Sequence, residues 1–304
     1  MRRAGPTPAA IPALLLAVVS VSFSAIFIRL SEGAPATVVW VRMAITVALL
    51  APWLAADARR GAVPRTRRDA LLVLASGLFL AAHFLTWTFS LRYTSVASSV
   101  LLVTLHPVLV AWLGRRLLDE PVSARLALGI ALALAGTAIT TGGDVRLSLS
   151  ALGGDLLALA GAATFTGYLL IGRSLRSRTG TAGYSVPVYA VVGLCSVVVA
   201  PLTGGSVLPS GRTALACLGL AAVCTVLGHT VFNWTLRHLR TALVSVSLLG
   251  EPAITTLLAI PILGELPPGS SLLGGAVILA GLALALSERP AASPQEAVAL
   301  VAPE

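Results

Sequence analysis

Apolar residues in this chain come in ten long blocks, and nearly all of the charge lies in the short segments between them. The blocks run Ile11–Leu30, Pro35–Leu54, Ala70–Ser90, Ser95–Leu113, Ala124–Thr140, Gly153–Ile171, Ser185–Leu202, Thr213–Leu236, Thr241–Leu263 and Ser270–Leu286. A helix rises about 1.5 Å per residue and the hydrocarbon of a bilayer is about 30 Å thick, so each block comes close to the length needed to cross it.

The arginines orient these helices. Cytoplasmic loops collect basic residues, and an omitted helix would invert the side of every later loop. With the N-terminus inside, the inner segments hold Arg2 and Arg3; Arg59, Arg60, Arg65, Arg67 and Arg68; Arg115, Arg116 and Arg125; Arg173, Arg176 and Arg178; Arg237 and Arg240; and Arg289, which is 16 of the 21 basic residues. Arg92, Arg146 and Arg212 fall in outer loops, Arg29 at the outer end of the first block and Arg42 inside the second. The bias predicts both termini in the cytoplasm. The stretch 287–304, rich in small residues, charge and proline, reads as a disordered tail.

Composition narrows the class. With 57% hydrophobic and 11% charged residues and a mean hydropathy of +0.93, the 304-residue chain has too little polar surface for a soluble globule. A net charge of +9 raises nucleic acid as a partner, but the arginines are strung between apolar blocks rather than gathered on one soluble face, which excludes it. Cys195, Cys217 and Cys224 lie in apolar blocks without CxxC spacing or a nearby metal-ligand pattern, and read as packing residues. Met1-Arg2-Arg3 and the run behind it resemble the start of a signal peptide. That run is long enough to span, however, and no A-x-A site closes it, so it is read as the first span.

The chain repeats itself. A shift of 145 residues aligns Phe89–Ala138 with Trp234–Ala283 without a gap: Leu91-Arg92 falls on Leu236-Arg237, Pro107 on Pro252, Glu120 on Glu265, Gly129 on Gly274 and Gly136 on Gly281. Each unit holds an odd number of spans, so the second copy enters the membrane from the opposite side. The fold class predicted is an all-α membrane protein of ten transmembrane helices in two inverted five-helix repeats, 11–140 and 153–286. A cytoplasmic segment 1–10, an external linker 141–152 and the tail complete the chain. Inverted repeats supply alternating access around a midplane site.

His106-Pro107, Asp119-Glu120-Pro121 and Gly129 through Gly136 in the first copy, and Glu251-Pro252, Gly264-Glu265-Leu266 and Gly274 through Gly281 in the second, resemble the paired EamA domains of the drug/metabolite transporter superfamily. Arg42, in Trp40-Val41-Arg42, is similar to the arginine of that family's second span. The resemblance covers about Ile11 to Leu286 and implies a ten-helix fold and export of small metabolites or drugs. The copies differ in chemistry, with His106 standing where the second has Glu251.

A charge at the bilayer centre costs about 2.5–3.5 kcal/mol on insertion scales, so every ionisable residue there needs a reason. Glu251 precedes Pro252 near the middle of its block, and the proline is expected to free the carbonyl of Leu248. Glu251 binds either a cationic substrate group or a coupling proton, or else packs protonated against a neighbouring helix. His106 is its counterpart, either a proton relay or a neutral, satisfied imidazole. Pro107 and Pro252 read as kinks or hinges. Arg42 either snorkels outward or pairs with Glu251 or an anionic substrate. His83 and Trp87 share one face of the third span, and His229 and Asn233 share one face of the eighth, its repeat partner. Across a central cavity these four, with Trp234, Tyr168 and Phe165, would form an aromatic, weakly polar lining for amphipathic solutes. Ser20, Ser22 and Ser24, with Thr164, Thr166 and Gly167, read as close helix contacts. Glu120 and Glu265 sit at membrane edges and are expected to pair with loop arginines or cap the next helix.

No GxSxG, HExxH, paired-Asp or Walker A pattern is present, which argues against an enzyme or an ATP-driven pump, and no cofactor or metal is called for. The reading is a secondary carrier, most plainly an exporter of metabolites, amino acids or amphipathic drugs in the cell's plasma membrane, with lipid and protons as its other partners. An importer or exchanger, or a membrane-embedded receptor or scaffold, is the alternative.

Overall fold

Among the described residues, ten helices are long and apolar enough to cross a membrane: Ala10–Leu30, Pro35–Arg59, Arg67–Ser90, Ser98–Leu117, Ala124–Thr141, Ala151–Arg176, Thr181–Leu202, Gly211–Thr235, Thr241–Ile262 and Gly269–Leu286. They are referred to below as the first to tenth spans. The structure is a computed structural model that describes residues 8–90, 93–94, 96–141, 149–264 and 267–287. Arg2, Arg3, Arg92, Arg146, Glu265, Arg289 and the tail beyond 287 lie outside the described residues.

Several helices outrun the apolar blocks. The second continues past Leu54 to Arg59, the fourth past Leu113 to Leu117, and the sixth past Ile171 to Arg176. Hydropathy marks only the hydrocarbon, whereas backbone hydrogen bonding carries on into the headgroup layer, where charged side chains keep their water. Large apolar side chains such as Leu194 and Leu215, 66% and 71% exposed, cover the outside of the bundle as lipid requires.

The fifth and tenth spans cross most closely. A Cβ on Gly129 would lie 2.7 Å from the carbonyl oxygen of Gly281, and one on Gly136 would lie 2.6 Å from that of Gly274. The early glycine of each helix therefore meets the late glycine of the other, so the two run antiparallel with their backbones in contact. The second span packs along the seventh, the third along the sixth, and the first along the eighth.

The connections also meet in pairs. At one end Arg178 pairs with Asp69 at 2.6 Å and Gly180 N–H donates to the Ala62 carbonyl at 2.6 Å, joining the 2–3 and 6–7 connections. At the other end Thr37 donates to the Ser206 carbonyl at 2.7 Å and Arg212 pairs with Glu32 at 3.0 Å, joining the 1–2 and 7–8 connections.

Candidate functional site

Among the described residues, four spans lose regular α-helical geometry part-way across. The first breaks at Ser22–Phe23, between Ala10–Val21 and Ser24–Leu30; the fourth at Thr104–Leu105, between Val96–Val103 and His106–Leu117; the ninth at Leu248–Leu249, between Thr241–Ser247 and Gly250–Leu263. The eighth winds as a π-helix over Leu220–His229. Irregular backbone at membrane depth is tolerated only where protein or a cavity satisfies it, and breaks of this kind gather at functional sites.

Each break is satisfied differently. Thr255 of the ninth span donates its hydroxyl to the Ser22 carbonyl at 2.8 Å. In the fourth, His106 donates Nδ1–H to the Val103 carbonyl at 3.1 Å. In the ninth, the Leu248 carbonyl accepts the Glu251 N–H at 3.1 Å. The expectation that Pro252 leaves Leu248 unpaired is therefore corrected: the chain tightens by one residue there and fills the vacated acceptor. Pro107 and Pro252 stand in the first turns of the second half-helices, where a proline lacks no hydrogen bond. His106 and Glu251 stand immediately before them. In the π-segment, Thr225 donates its hydroxyl to the Leu220 carbonyl at 3.1 Å and Thr230 to the Thr225 carbonyl at 2.9 Å, both five residues back.

Arg42 comes to this π-segment rather than to the membrane surface. It is 5% exposed, its Nε donates to Thr225 Oγ1 at 2.7 Å, and its guanidinium carbon lies 5.8 Å from the centre of the Phe84 ring. Nη2 is buried without a hydrogen-bond partner. No ion pair or hydrogen bond joins Glu251 to Arg42. Glu251 keeps part of its surface accessible, and among the described residues nothing hydrogen-bonds its carboxylate.

From Phe84 a chain of rings runs through the bundle. Phe84 meets His229 edge-on at 6.2 Å and His83 at 5.4 Å; His83 meets Phe165 at 4.6 Å; Phe165 meets His106 at 4.9 Å and Tyr168 at 5.7 Å. His83 donates Nδ1–H to the Gly161 carbonyl at 2.9 Å. The structure thus brings together Arg42, His83, His106, His229 and Phe165. Asn233 and Tyr168 belong to a buried hydrogen-bond network that meets the ring chain where Tyr168 packs on Phe165, and in it Asn233 Oδ1 accepts from Tyr168 at 2.8 Å and Nδ2 donates to Ser185 at 3.0 Å and to Tyr189 at 3.3 Å. Trp234 lies apart, its ring 4.5 Å from that of His238. Trp87 has its indole N–H buried without a partner.

Glu120 closes one end of the bundle. Asp119, with φ of 53°, reverses the chain after the fourth span, and Glu120 N–H bonds back to the Gly114 carbonyl at 3.2 Å. That turn aims the Glu120 carboxylate inward, where Oε1 accepts Arg173 Nε at 2.7 Å and Oε2 accepts the Thr241 N–H at 2.6 Å. The helix it caps opens the ninth span, not the next helix in sequence. At the opposite end a shallow crevice, lined by residues that include Pro35, Val39, Thr88 and Thr203, reaches in to Phe84.

The profile of the EamA-like transporter family matches residues 8–142 and again residues 152–287. The chain belongs to the EamA-like transporter family. The transporter is 27% identical over 246 residues to a probable terminal-alkyne amino-acid exporter of Streptantibioticus cattleyicolor, covering 79% of this chain and 80% of that relative. A protein of known crystal structure shares the fold with a TM-score of 0.77 at 23% identity, over 91% of this chain and 97% of its own. Membership of this family makes the chain a multi-pass membrane transporter rather than an enzyme.

Sequence reasoning passed over Phe84 and Thr225. Phe84 stands beside His83, a usable signal. Thr225 is one hydroxyl among many in apolar sequence, and no residue pattern marks the π-helix that turns it toward Arg42.

Proposed function

We propose that this transporter is a secondary carrier that exports small amphipathic metabolites, amino acids among them, across the plasma membrane by alternating access. The observation that carries the reading is the equivalent break in the fourth and ninth spans, one beside His106-Pro107 and the other beside Glu251-Pro252. Broken helices in corresponding positions of two halves mark the solute site in carriers of this design. The twofold family match and the antiparallel crossing of the fifth and tenth spans support inverted repeats over 11–140 and 153–286. The arginine bias supports cytoplasmic termini, and with them an inner closure at Glu120 and an outer crevice leading to Phe84. The relative's name supports amino acids as solutes.

Glu251 takes the coupling proton in this reading, since it stands at the break of the ninth span and no described residue hydrogen-bonds its carboxylate. The test is efflux of radiolabelled amino acids from proteoliposomes under an imposed pH gradient. The expected result is gradient-dependent efflux above that of empty liposomes, with Glu251→Gln losing the pH dependence. Efflux no faster than from empty liposomes, for every solute tried, removes the carrier reading. A Glu251→Gln variant with wild-type rate and pH dependence removes the coupling role of that residue alone.

A further inference from the structure

We propose that the connection between the second and third spans is a docking site for an anionic phospholipid. Its phosphate meets the arginines of 59–68, and its acyl chains lie along the two spans that flank them.

Arg59, Arg60, Arg65, Arg67 and Arg68 are all exposed. The acids beside them in the chain are Asp57 and Asp69, and both are turned to other helices. Asp57 Oδ2 accepts the Gly183 N–H at 2.9 Å, in the first turn of the seventh span, and Asp69 pairs with Arg178 at 2.6 Å. Among the described residues, none of the five guanidiniums has a hydrogen-bond or ion-pair partner. Other arginines at this end of the bundle are spent within the protein. Arg173 donates to Glu120 and to the Leu236 carbonyl, and Arg176 to the carbonyls of Asn233 and Thr179 and the hydroxyl of Thr181. A bias of arginine toward one side of the membrane accounts for the side on which the five lie. It does not account for a cluster whose own acids are both engaged elsewhere.

The patch is held in shape. Gly61, with φ of 67°, ends the second span: its N–H donates to the Ala58 carbonyl at 2.9 Å and that of Ala62 to the Asp57 carbonyl at 2.8 Å. Arg65 folds back against the bare face of Gly61. The Thr66 hydroxyl accepts the Asp69 N–H at 3.0 Å and opens the third span. Arg67 and Arg68 therefore stand at the positive end of a helix, where an anion is favoured and a cation is not. Like charges fixed on so short a frame repel one another until an anion answers them.

Two apolar stripes lead from these arginines toward the hydrocarbon. Trp53 and Arg60 share a face of the second span at i and i+7, and Trp53 is 62% exposed. On the third span Arg67 is followed at i+4, i+7 and i+11 by Leu71, Leu74 and Leu78, each about half exposed. Charge and apolar surface are continuous here as headgroup and acyl chain are continuous in a lipid. A nucleic acid or an acidic soluble protein would engage the arginines and leave the stripes bare. A phospholipid covers both, and Trp53, about 10 Å along the helix from Arg60, falls at the depth where interfacial tryptophans sit.

The test uses the full-length protein in phosphatidylcholine bilayers that contain phosphatidylglycerol or phosphatidylcholine with brominated acyl chains, which quench tryptophan on contact. The emission lost on Trp53→Phe isolates the signal of Trp53. Brominated phosphatidylglycerol is expected to quench that signal at a mole fraction roughly fivefold lower than brominated phosphatidylcholine, the factor for one arginine engaged at a charged headgroup layer. Replacing all five arginines by glutamine is expected to bring the two lipids level. Arg67→Gln with Arg68→Gln, for use if the fivefold variant fails to insert, is expected to fall between. Equal quenching by both lipids in the wild type overturns the proposal, as does a preference that neither set of substitutions reduces. Displacement of the brominated phosphatidylglycerol by a short DNA duplex overturns it too, by assigning the patch to a soluble polyanion. None of these outcomes depends on transport, so the carrier reading stands or falls separately.

Discussion

Arg173 reaches Glu120 at 2.7 Å across the end of the bundle, and the same carboxylate caps the ninth span through Thr241. One side chain therefore ties the 4–5 connection to the sixth and ninth spans. Arg173 also donates to the Leu236 carbonyl, and Arg240 donates to the Pro121 carbonyl at 3.3 Å, which adds the 8–9 connection. Glu120→Ala is expected to cost about 3 kcal/mol, because it strands a partly buried guanidinium and uncaps a helix. Glu120→Gln, which still accepts from Thr241, is expected to cost less. Adding Arg173→Met to Glu120→Ala is expected to recover part of the loss, as neighbours in one network are not additive. Thermal unfolding followed by fluorescence-detected size exclusion reads all three.

Glycines offer a matched pair of substitutions. Gly136→Ala puts a methyl 2.6 Å from the Gly274 carbonyl, whereas Gly153→Ala meets nothing within 4 Å. Overpacking at the first is expected to destabilise by about 1–3 kcal/mol, and the helix propensity of alanine at the second to stabilise by about 0.5–1 kcal/mol. Equal shifts in Tm would contradict the close crossing of the fifth and tenth spans.

Thr225→Val removes the acceptor of Arg42 Nε while keeping the side chain's shape. The variant is expected to lose about 1.5–3 kcal/mol, the range for a hydrogen bond to a charged group, and Thr225→Ser to lose much less. Tm values of the two variants, measured side by side, separate the hydroxyl's role from that of packing.

His238 supplies a pH dependence. Burial, and then the charges of Arg237, Arg176 and Arg173, hold its imidazole below the ordinary value of 6.5. The unfolded chain therefore binds a proton that the folded chain refuses once the pH falls below about 6.5, and the stability present above that value is lost progressively on acidification. A pH series of Tm between 7.5 and 5 is expected to slope downward toward acid, with ~7.5 and ~5 chosen to bracket the imidazole range. His238→Asn is expected to flatten that slope. A slope unchanged by the substitution would assign it to other groups.

The ten membrane helices were legible in the sequence because a span needs only length and apolarity, which are properties of a single segment. The matching breaks were half legible: Pro107 and Pro252 marked where the fourth and ninth spans depart from regular helix, as local steric effects of a proline do. The breaks in the first and eighth spans carried no such mark. They depend on acceptors supplied from elsewhere, such as the hydroxyl of Thr255 for Ser22. Glu120 was read as the partner of a loop arginine or the cap of the next helix; it pairs with Arg173 at the end of the sixth span and caps the ninth instead of the fifth. Which arginine and which helix were set by the turn at Asp119 and by residues more than fifty positions away.

The candidate site divides in the same way. That Arg42, Glu251 and the membrane-embedded histidines need an explanation follows from the sequence alone, because the cost of burying a polar group in lipid depends only on its chemistry. Where each one points does not. Asn233 and His229 look alike as polar residues on one helix, yet a π-helix ends between them. Asn233 is closed in with Ser185, Tyr189 and Tyr168, while His229 faces Phe84. Arg42 looked as able to reach the membrane surface as the interior. Thr225, 183 residues away, decides for the interior, because a hydrogen bond depends on the position of both partners and only the packed bundle sets the second.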